Sequence, residues 1–271
     1  TEPDSSTDGG FTAPPTPTVW TAAWPPPNAS HCEGTDIWVT ALAVHDTRVW
    51  VGTRCGEVFR TDDLGSSWTP LPTPLTRANA VRPVEDLLFV GDVLFTVLRS
   101  PKYDSTSMAD QGPVYRSTDF GDTWVDFQAG FPTRVGGQLV LVYDLHVASN
   151  RLFAATWGAG VQVSPLDQAD WQPFSDRSTS PAEQGLIDAC PNVAPYVDPI
   201  SNQPFGFLHS LELADDGSIA VVGELAGVPS TAFFALVDPS GTEVTAAATY
   251  SGAYLSTSAY AIARSGDGYV L

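Results

Sequence analysis

Acidic and imidazole side chains occupy matching positions in several predicted strands of the chain. Aligning these strands places Asp86 and Asp144 at one position, and His146 and Glu212 at the position two residues later. Together with His209, these side chains could line a site for a cation or a sugar, because they offer hydrogen-bonding and metal-ligating atoms. The alternative for each of them is a hydrogen-bonded structural role on an inner strand.

Acid-base chemistry on a glycoside needs two carboxyl groups that flank the scissile bond. The candidates for that pair are Asp36, Glu85, Asp86 and Asp144, and Trp157, in a predicted bend, could stack on a sugar ring. No Gly-x-Ser-x-Gly sequence is present, and the four histidines are scattered, so a serine hydrolase triad is not indicated. No cluster shows metal-ligand spacing, so the sequence predicts neither a metal nor a cofactor.

The elements that position these side chains are indicated by a repeated phrase. RTDDLGSSW at Arg60 to Trp68 returns as RSTDFGDTW at Arg116 to Trp124, and SPLDQADW from Ser164 to Trp171 is a decayed third copy. The tryptophans recur at intervals of roughly 50 residues, which is typical of four-stranded propeller blades. The repeated positions are Thr61, Asp63, Gly65 and Trp68, then Ser117, Asp119, Gly121 and Trp124, then Ser164 and Trp171.

The spacing of the phrase suits a tight turn between two strands. The aspartate can accept hydrogen bonds from the amides of its own turn, and the glycine supplies a positive φ. The tryptophan is then expected to bury its ring between neighbouring sheets. The phrase resembles the Asp-box of the sialidase-like β-propellers, a superfamily with enzymatic and non-enzymatic branches. In that superfamily the box joins the third and fourth strands of a blade and is structural, which leaves the function open.

The predicted fold is an all-β propeller of four-stranded antiparallel blades, with about four and a half blades in this chain. The blades are predicted near residues 37–72, 84–128, 139–174, 207–249 and 258–271. Such an array is either an irregular five-bladed ring or part of a six- to eight-bladed one. Residues 1–18 are rich in Pro, Ser and Thr and are predicted to be a disordered tether to a propeller domain at 19–271, in which Val19 to Trp24 could be a lone outer strand.

Two long insertions identify the face on which binding is expected. They span 101–113 and 175–204, and the strand order places both at the same face of the propeller, opposite the box turns. Long loops on a rigid scaffold commonly carry binding sites. We therefore predict that a protein or a glycan binds at this face.

Composition narrows the class of partner and the compartment. The chain has 12 basic and 31 acidic residues, a formal net charge of -19, which disfavours nucleic-acid binding. No stretch approaches the length of a transmembrane helix. A removed export signal, with a lipid-anchored cysteine upstream of Thr1, would explain the start without methionine and would place the protein outside the cell, at its surface or in the periplasm. Export would permit one disulfide among Cys32, Cys55 and Cys190, and three free thiols are the alternative.

These observations favour a non-catalytic binding or assembly module over an enzyme. The alternative is a glycoside hydrolase of the sialidase or xyloglucanase-like propeller type. Sialidases carry a Phe/Tyr-Arg-Ile-Pro motif ahead of their first blades, and Arg82-Pro83, the nearest match here, stands in another place. The remaining acid-base candidates are the four carboxyl groups named above.

Overall fold

The structure is a computed structural model of the whole chain, and the account below concerns only its described residues. These are 38–73, 82–99, 114–132, 134–135, 138–157, 159–173, 206–214, 216–225, 231–238, 244–250, 262–265 and 268–270. The predicted tether at 1–18, the strand at Val19 to Trp24, both insertions, Cys32 and Cys190 lie outside them.

Twenty strands are present in the described part of the chain. Blade 1 consists of β1 to β4: Val39–His45, Arg48–Thr53, Val58–Thr61 and Thr69–Leu71. Blade 2 consists of β5 to β8: Val84–Val90, Val93–Leu98, Val114–Ser117 and Val125–Asp126. A two-stranded pair, β9 and β10, follows at Arg134–Val135 and Gln138–Leu139. Blade 3 consists of β11 to β14: Leu141–Ala148, Arg151–Trp157, Gly160–Pro165 and Gln172–Pro173. Blade 4 consists of β15 to β18: Gly206–Leu213, Ile219–Leu225, Thr231–Val237 and Val244–Tyr250. The hairpin of β19 and β20, Ala263–Ser265 and Gly268–Val270, is a separate two-stranded sheet in the region where a fifth blade was predicted.

Each blade is an antiparallel meander in which consecutive strands are neighbours. A single bridge between Trp157 and Phe207 joins the sheets of blades 3 and 4. The predicted fold class is therefore confirmed: the chain is an all-β, partial β-propeller built from four four-stranded antiparallel sheets. No helix occurs among the described residues, and so none that could cross a membrane.

The first strand of blade 3 is displaced along the chain relative to the sequence prediction. Leu139, predicted to start the inner strand of blade 3, belongs to β10, and β11 starts at Leu141. Strand β11 also includes Ala148, so the turn contains only Ser149 and Asn150. Both of these turn residues have positive φ, at 48° and 60°. Two successive left-handed residues close a two-residue hairpin, which a strand pattern alone does not specify.

The core lies between blades rather than within them. Trp50 of blade 1 packs with Leu87 of blade 2, and equivalent clusters separate blades 2 and 3, blades 3 and 4, and blade 4 and the β19–β20 hairpin. Trp50 is fully buried, which contributes on the order of 2–3 kcal/mol relative to an exposed ring. Gly52 allows the sheets to approach closely, because a Cβ there would lie 2.3 Å from Val84 Cγ1.

The two ends of the blades differ in the connections that they carry. We call one end the hairpin face. It carries the turn between the first and second strands and the turn between the third and fourth strands of each blade. The opposite end, with the connections between second and third strands and between blades, is the loop face. The box turns lie at the hairpin face, and both insertions connect strand ends at the loop face.

The first two box turns share one set of hydrogen bonds. Thr61 Oγ1 donates to Asp63 Oδ1 at 2.8 Å and accepts from the Gly65 N–H at 2.8 Å. The N–H and hydroxyl of Ser67 donate to the two oxygens of the Asp63 carboxylate at 2.8 and 2.7 Å. The second turn repeats these bonds at 2.6–2.8 Å with Ser117, Asp119, Gly121 and Thr123. Gly65 and Gly121 have φ of 91° and 94°, values that exclude most side chains.

The tryptophans of the repeat do not all bury their rings as the sequence predicts. Trp68 and Trp124 are only half-buried, although Trp124 Nε1 donates to the Pro72 carbonyl of blade 1 at 2.8 Å. Trp171 of the decayed copy is 1% exposed, and its Nε1 donates to the Phe127 carbonyl of blade 2 at 2.8 Å. In the decayed turn, Ser164 Oγ accepts from the Asp170 N–H at 2.9 Å. The contact between blades is thus kept where the aspartate and glycine are lost.

The arginine that opens the repeat joins successive blades. Arg60 lies 3.4 Å from Asp62 of its own turn and 3.8 Å from Asp122 in the box turn of blade 2. Arg116 Nη1 donates to the carbonyls of Leu166 and Asp167 in the corresponding turn of blade 3, at 3.3 and 2.8 Å. Each arginine therefore connects a third strand to the turn of the following blade.

Candidate binding face

A β-bulge occurs at the same place in the innermost strand of all four blades, near the loop face. The pairing register shifts between Val39 and Ala41, Val84 and Asp86, Val142 and Asp144, and Leu208 and Ser210. Bulges redirect side chains and are common beside functional sites. The four residues at the shifts, here called the bulge ring, are Thr40, Glu85, Tyr143 and His209.

Charged and aromatic contacts connect three members of the bulge ring. Glu85 forms a two-pronged ion pair with Arg99, whose Nε and Nη2 each lie 2.8 Å from a carboxylate oxygen. The Arg99 guanidinium lies 5.8 Å from the centroid of the Tyr143 ring. The Tyr143 ring in turn meets His209 edge-on, with 5.2 Å between centroids. A continuous row of polar and aromatic groups therefore crosses blades 2, 3 and 4 at the loop face.

The row continues towards blade 1 through a second arginine. The guanidinium of Arg54 lies 4.8 Å from the centroid of Trp38, which is 55% exposed. Burial raises the pKa of Glu85, and the positive charges of Arg99 and Arg54 oppose that rise. Trp38 is the exposed member of the row, the two arginines are partly exposed, and the Glu85 carboxylate is mostly covered.

Asp86 and Asp144, predicted as site carboxylates, join blades instead. Asp86 Oδ2 accepts from the Leu145 N–H of blade 3, and Oδ1 accepts from Leu87, both at 2.8 Å. Asp144 Oδ2 accepts from the Ser210 hydroxyl at 2.7 Å and from the Leu211 N–H of blade 4 at 3.1 Å. Such hydrogen bonds are what the structural alternative for these two residues describes, and the binding role remains a prediction.

The pKa values of these two carboxyls reflect their burial. Burial, together with repulsion from Asp144, raises the pKa of Asp86 to about 7. Burial also raises the pKa of Asp144, although the Ser210 hydroxyl and the charge of His146 act in the opposite direction. Near neutral pH the pair therefore holds less than two negative charges.

The remaining predicted site residues lie on β11, β12 and β15. His146 lies next to Asp144 and influences its pKa, and it pairs with Phe153 across the sheet. Glu212 is partly buried on β15, opposite Ala220. The backbone of Trp157 pairs with Leu141 and forms the bridge to blade 4. Of the predicted set, only His209 belongs to the bulge ring.

Metal and cysteine chemistry can be stated for the described part of the chain. No group of three His, Cys, Asp or Glu side chains that could hold a metal ion occurs within it. Cys55, at the loop face of blade 1, is disulfide-bonded. Its partner is Cys32 or Cys190, because the chain has three cysteines.

Sequence reasoning missed Arg99 and Tyr143 and named Glu85 only as an acid-base candidate. The signal that could have found all four ring members is their position, since Thr40 stands one residue before Ala41, which aligns with Asp86. Glu85, Tyr143 and His209 each stand one residue before the aligned position of Asp86, Asp144 and Ser210. Their shared exposure to one face follows from the bulges, which the alternating strand pattern does not show.

Comparison by sequence finds no matching family model and no matching curated protein. Solved structures with a similar course of the chain include "YCF48 bound to D1 peptide", with a TM-score of 0.47, 14% identity and coverage of 81% of this chain and 56% of that one. YCF48 from Cyanidioschyzon merolae has a TM-score of 0.49, 16% identity and coverage of 76% and 55%. The GH74 enzyme of Niastella koreensis has a TM-score of 0.48, 15% identity and coverage of 76% and 29%. The chain spans about half the length of the two YCF48 chains.

Proposed function

We propose that this chain is an exported, non-catalytic β-propeller that binds a protein or a glycan through its loop face. The observation that carries the proposal is the row formed by Arg54 on Trp38, Arg99 on Tyr143 and Tyr143 on His209. Guanidinium groups and aromatic rings are enriched in binding surfaces, where they supply most of the affinity. The row lies at the strand ends from which both insertions depart.

The absence of catalysis is supported by the state of the carboxyl groups. A glycosidase needs one carboxyl group to protonate the leaving group and a second to act as nucleophile or base. Asp86 and Asp144 accept hydrogen bonds from backbone amides of the next blade, and Glu85 is paired with Arg99. Each of these candidates is therefore engaged by the fold. Asp36, the fourth candidate, lies outside the described residues.

Export is supported by the disulfide of Cys55, because disulfides persist in oxidising compartments. The acidic surface, with a formal net charge of -19, suits a protein that does not bind nucleic acid. A cell-surface or extracellular location follows from these two properties within the proposal.

The proposal is tested with arrays of glycans and peptides and the purified full chain. Tyr143→Ala and Arg54→Ala should each weaken binding of any captured ligand by about tenfold or more, as expected for central interface residues. Arg151→Ala is the matched control, because Arg151 is exposed at the hairpin face and stacks on Phe153. Equal losses in the control and the loop-face variants would contradict the proposed site.

Glycosidase activity, the alternative function, is measured in the same preparations with fluorogenic glycosides. We expect no turnover above the background of the buffer. Turnover that Glu85→Gln abolishes, with the fold intact by circular dichroism, would replace the binding proposal by an enzymatic one.

A further inference from the structure

The arginine of the Arg82-Pro83 pair lies inside the protein, immediately before β5. Its side chain is 1% exposed, although arginine is among the residues that are rarely buried. The Nε atom of Arg82 donates to the Arg99 carbonyl at 3.0 Å, and Nη2 donates to the Leu98 carbonyl at 3.1 Å. Both carbonyls lie at the end of β6, at the loop face. Two nitrogens of one planar guanidinium therefore hold two successive residues of the backbone.

The proline explains why a side chain is needed at this place. In the antiparallel ladder of β5 and β6, Val84 pairs with Leu98, so Pro83 lies opposite Arg99. The Arg99 N–H donates to the Pro83 carbonyl at 2.8 Å. A residue pair that is joined in this way normally exchanges a second bond in return, but proline has no N–H to donate. The Nε atom of Arg82 donates to the Arg99 carbonyl instead, and so replaces the missing bond of the ladder.

A further hydrogen bond joins Arg82 to the start of β7. The guanidinium donates to the hydroxyl of Tyr115, a residue that is 7% exposed. Strands β6 and β7 are the two strands that the insertion at 101–113 connects, so one buried side chain binds the described strand ends on both sides of it. Burial lowers the pKa of Arg82, the hydrogen bond and charge of Tyr115 oppose this change, and a guanidinium stays charged at neutral pH.

The backbone of Arg82 contacts the loop face of blade 1. Gly56 has a φ of 81°, and a Cβ at this position would lie only 2.6 Å from the Arg82 carbonyl oxygen. Gly56 follows the disulfide-bonded Cys55 in a turn that its own N–H closes by donating to the Thr53 carbonyl at 3.0 Å. Arg82 is therefore packed between the turn of blade 1 that holds Cys55 and the strand end of blade 2 that carries Arg99.

Arg99 is the member of the row that depends on this arrangement. Its side chain forms the two-pronged ion pair with Glu85 and lies over the ring of Tyr143 in blade 3. We propose that Arg82 is a positioning residue of the loop face: it fixes the end of β6 so that Arg99 reaches Glu85 and Tyr143 together. The importance of this role for binding rests on the proposed function, but the positioning itself is a property of the protein without ligand.

The test is hydrogen exchange of the ligand-free full chain, followed by NMR at the amide and the Nε–H of Arg99. Arg82→Lys keeps the positive charge but has a single nitrogen, which cannot reproduce the fork that binds two carbonyls. We expect both Arg99 groups to exchange about tenfold faster or more in this variant, because bonds from a charged donor have been lost. Glu85→Gln identifies the Nε–H signal, since it weakens the ion pair directly.

Arg116→Lys is the matched control. Arg116 also donates to two successive carbonyls, those of Leu166 and Asp167, but it does so at the hairpin face. This variant should lower the melting temperature and leave exchange at Arg99 within about twofold of the parent value, because distant sites act independently. Tyr115→Phe is the second test variant and serves also if Arg82→Lys does not fold. It removes one bond of the Arg82 guanidinium, and should accelerate exchange at Arg99 by about two- to fivefold.

Two results would overturn the proposal. One is equal acceleration in Arg82→Lys at Arg99 and at the Gly121 N–H, which belongs to the box turn of the same blade, because Arg82 would then act on stability alone. The other is exchange at Arg99 that neither Arg82→Lys nor Tyr115→Phe changes, since the end of β6 would then need no support. Both measurements are made without ligand. A loop face that captures nothing on the arrays would therefore contradict the proposed function and leave the positioning role intact.

Discussion

The carboxylates of the box turns and those of the inner strands accept similar hydrogen bonds, but their pKa values are shifted in opposite directions. Hydrogen bonds from Ser67, then from Thr61, hold the pKa of Asp63 below its ordinary value, and bonds from Thr123 and Ser117 do the same for Asp119. Burial raises the pKa of Asp86 to about 7, although Leu87 and Leu145 donate to it. Asp63 is exposed and Asp119 is partly buried, each in a turn at the hairpin face, whereas the carboxyl groups of Asp86 and Asp144 reach across to the next blade.

The comparison shows that the surroundings of a carboxylate decide its charge more than the number of its donors. In water-exposed turns, donors to the ionised form lower the pKa without a competing cost. Between sheets, the loss of hydration exceeds the gain from two amide donors. The same residue type therefore strengthens a turn at the hairpin face and forms a pH-sensitive connection at the centre of the array.

The largest expected loss of stability follows from removing the hydrogen bond between Asp86 and Leu145. Asp86→Ala leaves the buried Leu145 N–H without its acceptor, and we expect a loss of about 3 kcal/mol in the free energy of unfolding. The loss is measured by urea unfolding at pH 5, because the Asp86 carboxyl of the parent protein is then largely protonated and buries no charge. A loss no greater than that of Asp119→Ala would contradict the importance of this connection.

The second effect is the pH dependence of stability. The pKa of Asp86 in the folded state lies above the ordinary aspartate value of 3.8, so the folded protein binds more protons between about pH 4 and 7. Stability is therefore lost as the pH rises through this window. We expect a loss of about 2 kcal/mol between pH 5 and 8. Asp86→Asn should flatten this slope in the same unfolding assay, and an unchanged slope would assign the effect to other groups.

Replacing Asp119 in the second box turn should cost less stability, and this cost should depend on pH in the opposite direction. Asp119→Ala removes the acceptor of Thr123 and Ser117, and should lower the melting temperature at pH 7 by about 2–4 °C. Because the pKa of Asp119 is lowered on folding, its contribution is lost as the pH falls through the folded pKa. The difference in melting temperature between parent and variant should therefore disappear in strong acid. A difference that widens there would refute the contrast with Asp86.

The smallest expected losses of stability follow from replacing the arginines of the repeat, and the two losses should differ in their dependence on salt. Arg60→Ala removes ion pairs to exposed carboxylates and should cost only a few tenths of a kcal/mol, a loss that salt reduces further. Arg116→Ala removes bonds to two carbonyls of blade 3 and should cost about 1 kcal/mol with little salt dependence. Thermal unfolding in low and high salt distinguishes the two.

The sequence predicted the fold well because the repeat and the strand alternation are local signals. Strands such as Arg48–Thr53 and Val84–Val90 follow from apolar alternation between turn residues. The aligned position of Asp86 and Asp144 was also visible. Their role was not, because the groups that they bind are backbone amides of the next blade, and backbone partners leave no mark in a sequence.

The candidate site was predicted at the level of the face and only in part at the level of residues. His209 was named, but its neighbour Tyr143 was not, since the bulges that turn both towards the loop face depend on pairing register. The predicted burial of the repeat tryptophans holds for Trp171, whereas Trp68 and Trp124 are only half-buried. The decayed copy holds the most buried one, because Trp171 is enclosed by Phe127 and Phe131 of the preceding segment.

The fully enclosed indole at position 171 has a consequence for how such arrays diverge. Its turn has lost the aspartate and the glycine, yet the ring and its bond to the Phe127 carbonyl remain. Between the copies in this chain, the surface bend thus varies while the tryptophan that separates two sheets is kept. Degenerate copies in related chains should accordingly be sought from the tryptophan backwards, with the acidic residue treated as dispensable.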